Sequence, residues 1–158
     1  MTDQIQFSLA SSELEDYLTI DIVINGYDLK SIIASIESEQ IHNMPLTIQA
    51  GAYEGISAFI AFHTHNHFYG ETVSGYQQEG NRFTLFEYIH SGVPGEHTVT
   101  CEINFSGDEV TWKNFRNISS VIPEGFSYYD LEFRFNREEY LQAIHNFREE
   151  KINPVYSG

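Results

Sequence analysis

The 158-residue chain predicts an α+β fold: a single domain with a mostly antiparallel β-sheet and two amphipathic helices. Three observations carry this. Residues 98–115 (TVTCEINFSGDEVTWKNF) alternate apolar Val99, Cys101, Ile103 and Phe105 with polar neighbours, break at Ser106-Gly107-Asp108, and resume with Val110 and Trp112. A period of two around turn residues is a β-hairpin with Trp112 facing inward. Leu29, Ile32, Ile33 and Ile36 fall at i, i+3, i+4 and i+7, a helix stripe. Finally, Asn136-Arg137-Glu138-Glu139 matches a capping box, flanked by Phe135 and Tyr140 as a hydrophobic staple.

Residues 1–15 are polar with scattered apolar positions and fit a loose arm or an edge strand. In residues 17–24, Leu18, Ile20, Ile22 and Ile24 share one face of a strand that Asn25-Gly26 ends. Asp28 is placed to cap a helix over residues 28–39. Leu46 and Ile48 suit a short strand before a loop at residues 51–55. The apolar residues 56–62 read as a strand running into His63-Thr64-His65-Asn66-His67, and residues 70–80 (GETVSGYQQEG) as an exposed loop. Residues 82–90 form another strand, with Phe83, Leu85 and Ile89 on one face and Phe86 and Tyr88 on the other. Apolar side chains on both faces predict a central, covered strand. Residues 91–96 form a turn, and 116–125, without a period, a connecting loop. Tyr129, Leu131, Phe133 and Phe135 alternate as a last strand before the capped helix, whose stripe of Tyr140, Ile144 and Phe147 runs to about residue 149.

Charge is the strongest compositional signal: 23 acids against eight Lys and Arg, a formal net charge of −15. Up to Asn81 the sole base is Lys30, against eleven acids. Such a field repels nucleic acid and anionic membranes and attracts basic proteins. No basic apolar leader is present and no apolar run approaches the ~18 residues of a membrane span, so a cytoplasmic protein is expected. Cys101 is the single cysteine, which suits a reducing compartment, and its inward register makes it a core residue.

No GxSxG elbow, GxGxxG or GxxxxGK[ST] loop, or HExxH zinc motif occurs, so neither an enzymatic activity nor a cofactor is expected. On an extended segment His63, His65 and His67 would share one side and could meet a metal, which leaves a metal- or small-ligand-binding alternative. Tyr53 with Glu54, and Tyr76 with Glu71 and Glu79, pair aromatics with acids in segments read as loops, the chemistry of a protein-binding patch.

Several stretches together resemble a known family: LTIDIVINGYDLKSIIASIE, LTIQAGAYEG, HFYGE, VTCEINFSGDEVTWKNFRN and LEFRFNREEYLQAI. They are similar to small bacterial immunity-like proteins, some encoded beside toxins of contact-dependent growth inhibition systems. Many of those proteins carry CxCGxxGCW where this chain has EYIHSGVPGEHTVTCEI, so no cysteine-based metal or redox role is implied. The resemblance implies an immunity protein. The charge implies that its toxin is basic, a nuclease being the expected class because phosphate-binding sites are built from Lys and Arg. A non-toxin acidic adaptor would share the same composition.

Overall fold

The computed structural model describes residues 2–12, 16–40, 51–64, 66–70, 81–89, 97–118, 126–128 and 130–156. The fold is α+β, with a three-stranded and a six-stranded sheet, both antiparallel. In the first sheet β1 (Ile5–Ser11) pairs with β2 (Leu18–Ile24), which pairs with the short β3 (Tyr27–Asp28). Asn25 and Gly26 make the β2–β3 turn with φ of 55° and 83°, as the Asn-Gly pair predicts. Helix α1 (Leu29–Gln40) follows directly and buries Leu29 and Ile33. The Asp28 carboxylate, just before α1, accepts a hydrogen bond from the Ser31 hydroxyl at 3.2 Å, a side-chain contact and not the backbone-amide cap expected of it.

The second sheet runs β4 (Tyr53–Gly55), β5 (Arg82–Tyr88), β6 (Thr98–Ser106), β7 (Glu109–Ile118) and β8 (Phe126–Ser127), with β9 (Phe133–Asn136) also paired to β7. The β6–β7 hairpin closes through Gly107 and Asp108, and Gly107 has the positive φ, 58°, that the turn requires. Trp112 is fully buried. Its indole N–H donates to the Tyr140 hydroxyl at 3.3 Å, which donates to the Phe68 carbonyl at 2.5 Å. Phe83, Thr84, Leu85 and Phe86 are all buried, as expected of a central strand.

A bulge in β7 changes which residues face the core. Thr100 pairs with Arg116 but Glu102 with Lys113, so β7 carries one extra residue, and Asn114 there has φ 53°. Val110 and Trp112 point inward before the bulge; Phe115 and Asn117 do so after it. Arg82 fixes the kink by donating to the Asn114 carbonyl at 2.7 Å.

Helix α2 (Arg137–Phe147) starts with one half of the expected capping box: the Asn136 side chain accepts from the Glu139 N–H at 2.9 Å, while the Glu139 carboxylate accepts from the Gln4 amide at 3.4 Å; the Phe135 and Tyr140 rings lie 5.4 Å apart. The helix continues past residue 149, through a π-turn (Arg148–Ile152) into α3 (Asn153–Tyr156). The two sheets meet at both sides. Ile20 N–H donates to the Ile56 carbonyl at 3.0 Å, and Asp3 forms a parallel bridge to Phe135 of β9. Phe7, Phe62, Phe68 and Phe147 fill the space between, with ring centroids 4.9–5.9 Å apart. Among the described residues no helix is long and apolar enough to cross a membrane.

Candidate partner-binding surface

The sequence places Tyr53 and Glu54 in an exposed loop; the structure puts them in β4, 5% and 8% exposed. Pairing explains the difference, since Tyr53 lies opposite Tyr88 and Glu54 opposite Glu87, while Gly55 is pressed against β2. Tyr53 belongs to a polar network inside the protein. It donates at 2.5 Å to Oε2 of Glu37, a carboxylate with no exposure at all. Tyr128 donates to the same oxygen, the Gly51 N–H donates to Oε1 at 2.8 Å, and Asn117 donates to the Tyr53 hydroxyl at 2.6 Å. Burial first, then the charge of Glu37, pushes the Tyr53 phenol well above its usual range. Burial, Tyr53 and Glu37 do the same for Tyr128. Both therefore stay protonated, as donors to a carboxylate must. With its donors this closely seated, the network serves to hold α1 against the large sheet. Glu54 accepts from the Ser12 hydroxyl at 2.9 and 3.0 Å, tying the end of β1 to β4.

The histidines do not share an extended face. Residues 59–64 form a π-turn and His67 opens a 3₁₀ turn (His67–Tyr69), so the alternation assumed for a strand does not apply. His63 is exposed beside Phe59 and Tyr156, at ring distances of 5.1 and 5.5 Å. His67 is wholly buried and its Nε2–H donates to the Thr84 carbonyl at 2.8 Å. Burial holds its pKa down to about 4 against that bond's opposite pull. The 56–62 run is apolar because it is core: Ala58, Ala61 and Phe62 are buried against β1 and α2. His65 lies outside the described residues, as do Glu71, Tyr76 and Glu79.

A surface that the sequence reading did not single out lies between β1 and α2. Gln4 and Gln6 on one wall and Glu139, Gln142, Asn146 and Glu150 on the other line a groove of about 480 Å³. Its floor is apolar at Phe7 and Phe147, and its walls are rich in side-chain amides, which both donate and accept. Glu138 and Glu139 in the first turn of α2, and Glu149 and Glu150 in the π-turn that follows it, are exposed. Among the described residues the ion pairs are Lys30–Asp21, Arg82–Glu102 and Arg134–Glu132, so none of these four carboxylates is neutralised by a paired cation. That Glu139 and Glu150 stand beside β1, with the Gln4 amide donating to Glu139 at 3.4 Å, was not legible in the sequence, because it depends on how α2 crosses β1.

Comparison of the chain with models of protein families, with curated proteins and with solved structures found no match.

Proposed function

We propose that this chain is an immunity protein: a stoichiometric inhibitor that binds a basic toxin domain, a nuclease in the reading favoured here, and covers its active site. The observation that carries the proposal is the exposed acid of α2 and of the π-turn after it, Glu138, Glu139, Glu149 and Glu150, none of which pairs with a cation among the described residues. Exposed carboxylates without cation partners keep their full charge available to an incoming protein. A nuclease binds phosphate through Lys and Arg, so an acidic surface competes for the same cations. In this reading the chain needs no chemistry of its own and no cofactor, and it works in the cytoplasm, where it meets the toxin.

The histidine alternative loses its geometric basis, because His67 is buried on Thr84 while His63 is exposed beside Phe59 and Tyr156. The test is genetic. The protein encoded next to this chain is produced alone and together with it. Growth arrest by the neighbour, relieved by this chain, is the expected result. A neighbour without effect on growth, or an arrest that this chain does not relieve, overturns the proposal.

A further inference from the structure

Asn25-Gly26 is the single Asn-Gly pair of the sequence, and both residues are exposed in the turn between β2 and β3. The Asn25 side chain is nonetheless engaged with the segment leading into β1. Its Oδ1 accepts from the Gln4 N–H at 2.9 Å, and its Nδ2 donates to Asp3 Oδ1 at 2.9 Å. The Asn25 N–H donates to the Gln4 carbonyl at 2.8 Å. Asp3 in turn reaches the other sheet. Its N–H donates to the Arg134 carbonyl at 2.7 Å, and its Oδ2 accepts from the Arg134 N–H at 2.8 Å. One carboxamide therefore steadies the carboxylate that clips the chain before β1 to β9. Asparagine is a thermolabile side chain, and a following glycine, having no Cβ, shields it least. The Gly26 N–H has no acceptor among the described residues, and a Cβ added there would meet nothing within 4 Å.

We propose that Asn25 is a site of spontaneous deamidation, with water as the co-reactant, and that the product releases the Asp3 clip between the two sheets. The Gly26 backbone nitrogen, having lost its proton to solvent base, attacks Cγ of Asn25. A bond forms between that nitrogen and Cγ, the Cγ–Nδ2 bond breaks, and Nδ2 takes a proton from solvent and leaves as ammonia. Water then opens the cyclic imide at one of its two carbonyls, giving an aspartyl or an isoaspartyl residue. The sum is one water consumed and one ammonia released, with no change of oxidation state. The fold sets the pace, because the amide must first leave Gln4 and Asp3, so the reaction proceeds only while the turn is open. The product cannot restore the clip. It lacks the Nδ2 donor and sets a second carboxylate against Asp3 Oδ1, where like charges repel. The ion pairs among the described residues lie at Asp21, Glu102 and Glu132, so no paired cation offsets that repulsion. In the isoaspartyl product the main chain also gains an atom, which a two-residue turn between Ile24 and Tyr27 does not accommodate. Neither step depends on a partner or on the immunity reading.

The whole folded protein is aged in mildly alkaline buffer, and its peptides are read by mass and by isoaspartyl methyltransferase labelling. Conversion at Asn25 is expected at least tenfold faster than at Asn146, which is exposed on α2 but followed by Phe147. Conversion no faster than at Asn146 overturns the site. The consequence is tested on Asn25→Asp, the aspartyl product made directly, by amide hydrogen exchange followed residue by residue. The Asp3 and Arg134 amides, which report the clip, should exchange at least tenfold faster than in the native protein. The Trp112 amide, within the large sheet, should keep its native rate. Native exchange at Asp3 and Arg134 in the variant overturns the release. Equal acceleration at Trp112 also overturns it, since the change would then be general unfolding and not a local clip.

Discussion

Glu37 brings a carboxylate into a region without solvent, and three direct hydrogen bonds answer it there: the Tyr53 and Tyr128 hydroxyls and the Gly51 N–H. A buried charge is tolerated when its lone pairs are satisfied, and becomes costly when one partner is taken away. Glu37→Gln keeps the size but replaces one of the two accepting oxygens by an amide N–H₂, so at least one of the three donors loses its acceptor. It should lower unfolding free energy by about 3 kcal/mol in urea titrations. A loss under ~1 kcal/mol would mean that the network contributes little. His67 makes a second residue-scale prediction, through pH. Its folded pKa of about 4 lies below the ~6.5 of an unfolded histidine. Between those values the unfolded chain takes up a proton that the folded one refuses, so stability falls as pH drops from ~6.5 toward 4. His67→Gln retains a donor for the Thr84 carbonyl without the titration. From pH 7 to 4.5 the native protein should lose about 2 kcal/mol more than the variant. Parallel pH profiles for the two would show that His67 is not held neutral. The lone thiol makes no such contribution: burial raises the pKa of Cys101, which fills core space on β6 opposite Phe83 of β5.

Elements here are joined where side chains are absent. At Gly55 an added Cβ would sit 1.7 Å from the Ile20 carbonyl oxygen, and the adjacent Ile56 carbonyl takes the Ile20 N–H. The two sheets therefore meet backbone to backbone at this point, and only glycine permits the approach. Gly55→Ala should cost about 3 kcal/mol or more, read as a lowered denaturant midpoint. A change within ~0.5 kcal/mol would mean that β2 and β4 can separate without penalty. Much of the element order was legible because period and turn chemistry coincide in it: β2, α1, the Trp112 hairpin and the capped α2 all follow their sequence signals. What escaped the sequence is what tertiary contact decides. The bulge at Asn114 reverses the facing of β7 and brings Asn117 to Tyr53, although strict alternation from Trp112 would turn it outward. The last strand begins at Phe133, because Asp130 takes φ 66° and breaks the extended run; Tyr129, where the sequence started it, lies outside the described residues. Residues 59–64 wind into a π-turn since apolar content alone does not choose between strand and helix. Arg148, at the start of the π-turn after α2, secures that choice by donating to the Phe62 carbonyl at 3.0 Å and to the Asn66 side chain.

At the scale of the whole molecule the governing quantity is the charge of −15, which the fold does little to neutralise. Lys30 and Arg82 are committed to Asp21 and Glu102, at 2.9 and 3.9 Å, within the folded chain. Arg137 and Arg148 are engaged with Phe105 and Tyr69 rings, 5.4 and 5.7 Å away, and with backbone carbonyls. Glu138 and Glu139 on α2 and Glu149 and Glu150 in the π-turn after it are exposed and pair with no cation among the described residues, although Glu139 and Glu149 accept from the Gln4 and Asn153 amides. A field of this kind acts before contact, on the rate of encounter, and it weakens once ions shorten its reach from ~30 Å at 0.01 M salt to ~8 Å at 0.15 M. Binding contacts formed afterwards are short-ranged and set the dissociation rate instead. Association with a basic toxin domain should therefore slow at least tenfold between those two salt concentrations, while dissociation changes by less than about threefold. Glu138→Gln, Glu139→Gln, Glu149→Gln and Glu150→Gln combined should flatten that dependence, since they remove four charges from the face on which the partner lands. Stopped-flow traces across the salt series separate the two rates. If the fourfold variant keeps the full salt dependence, steering comes from another part of the surface and the α2 face is not where the partner arrives.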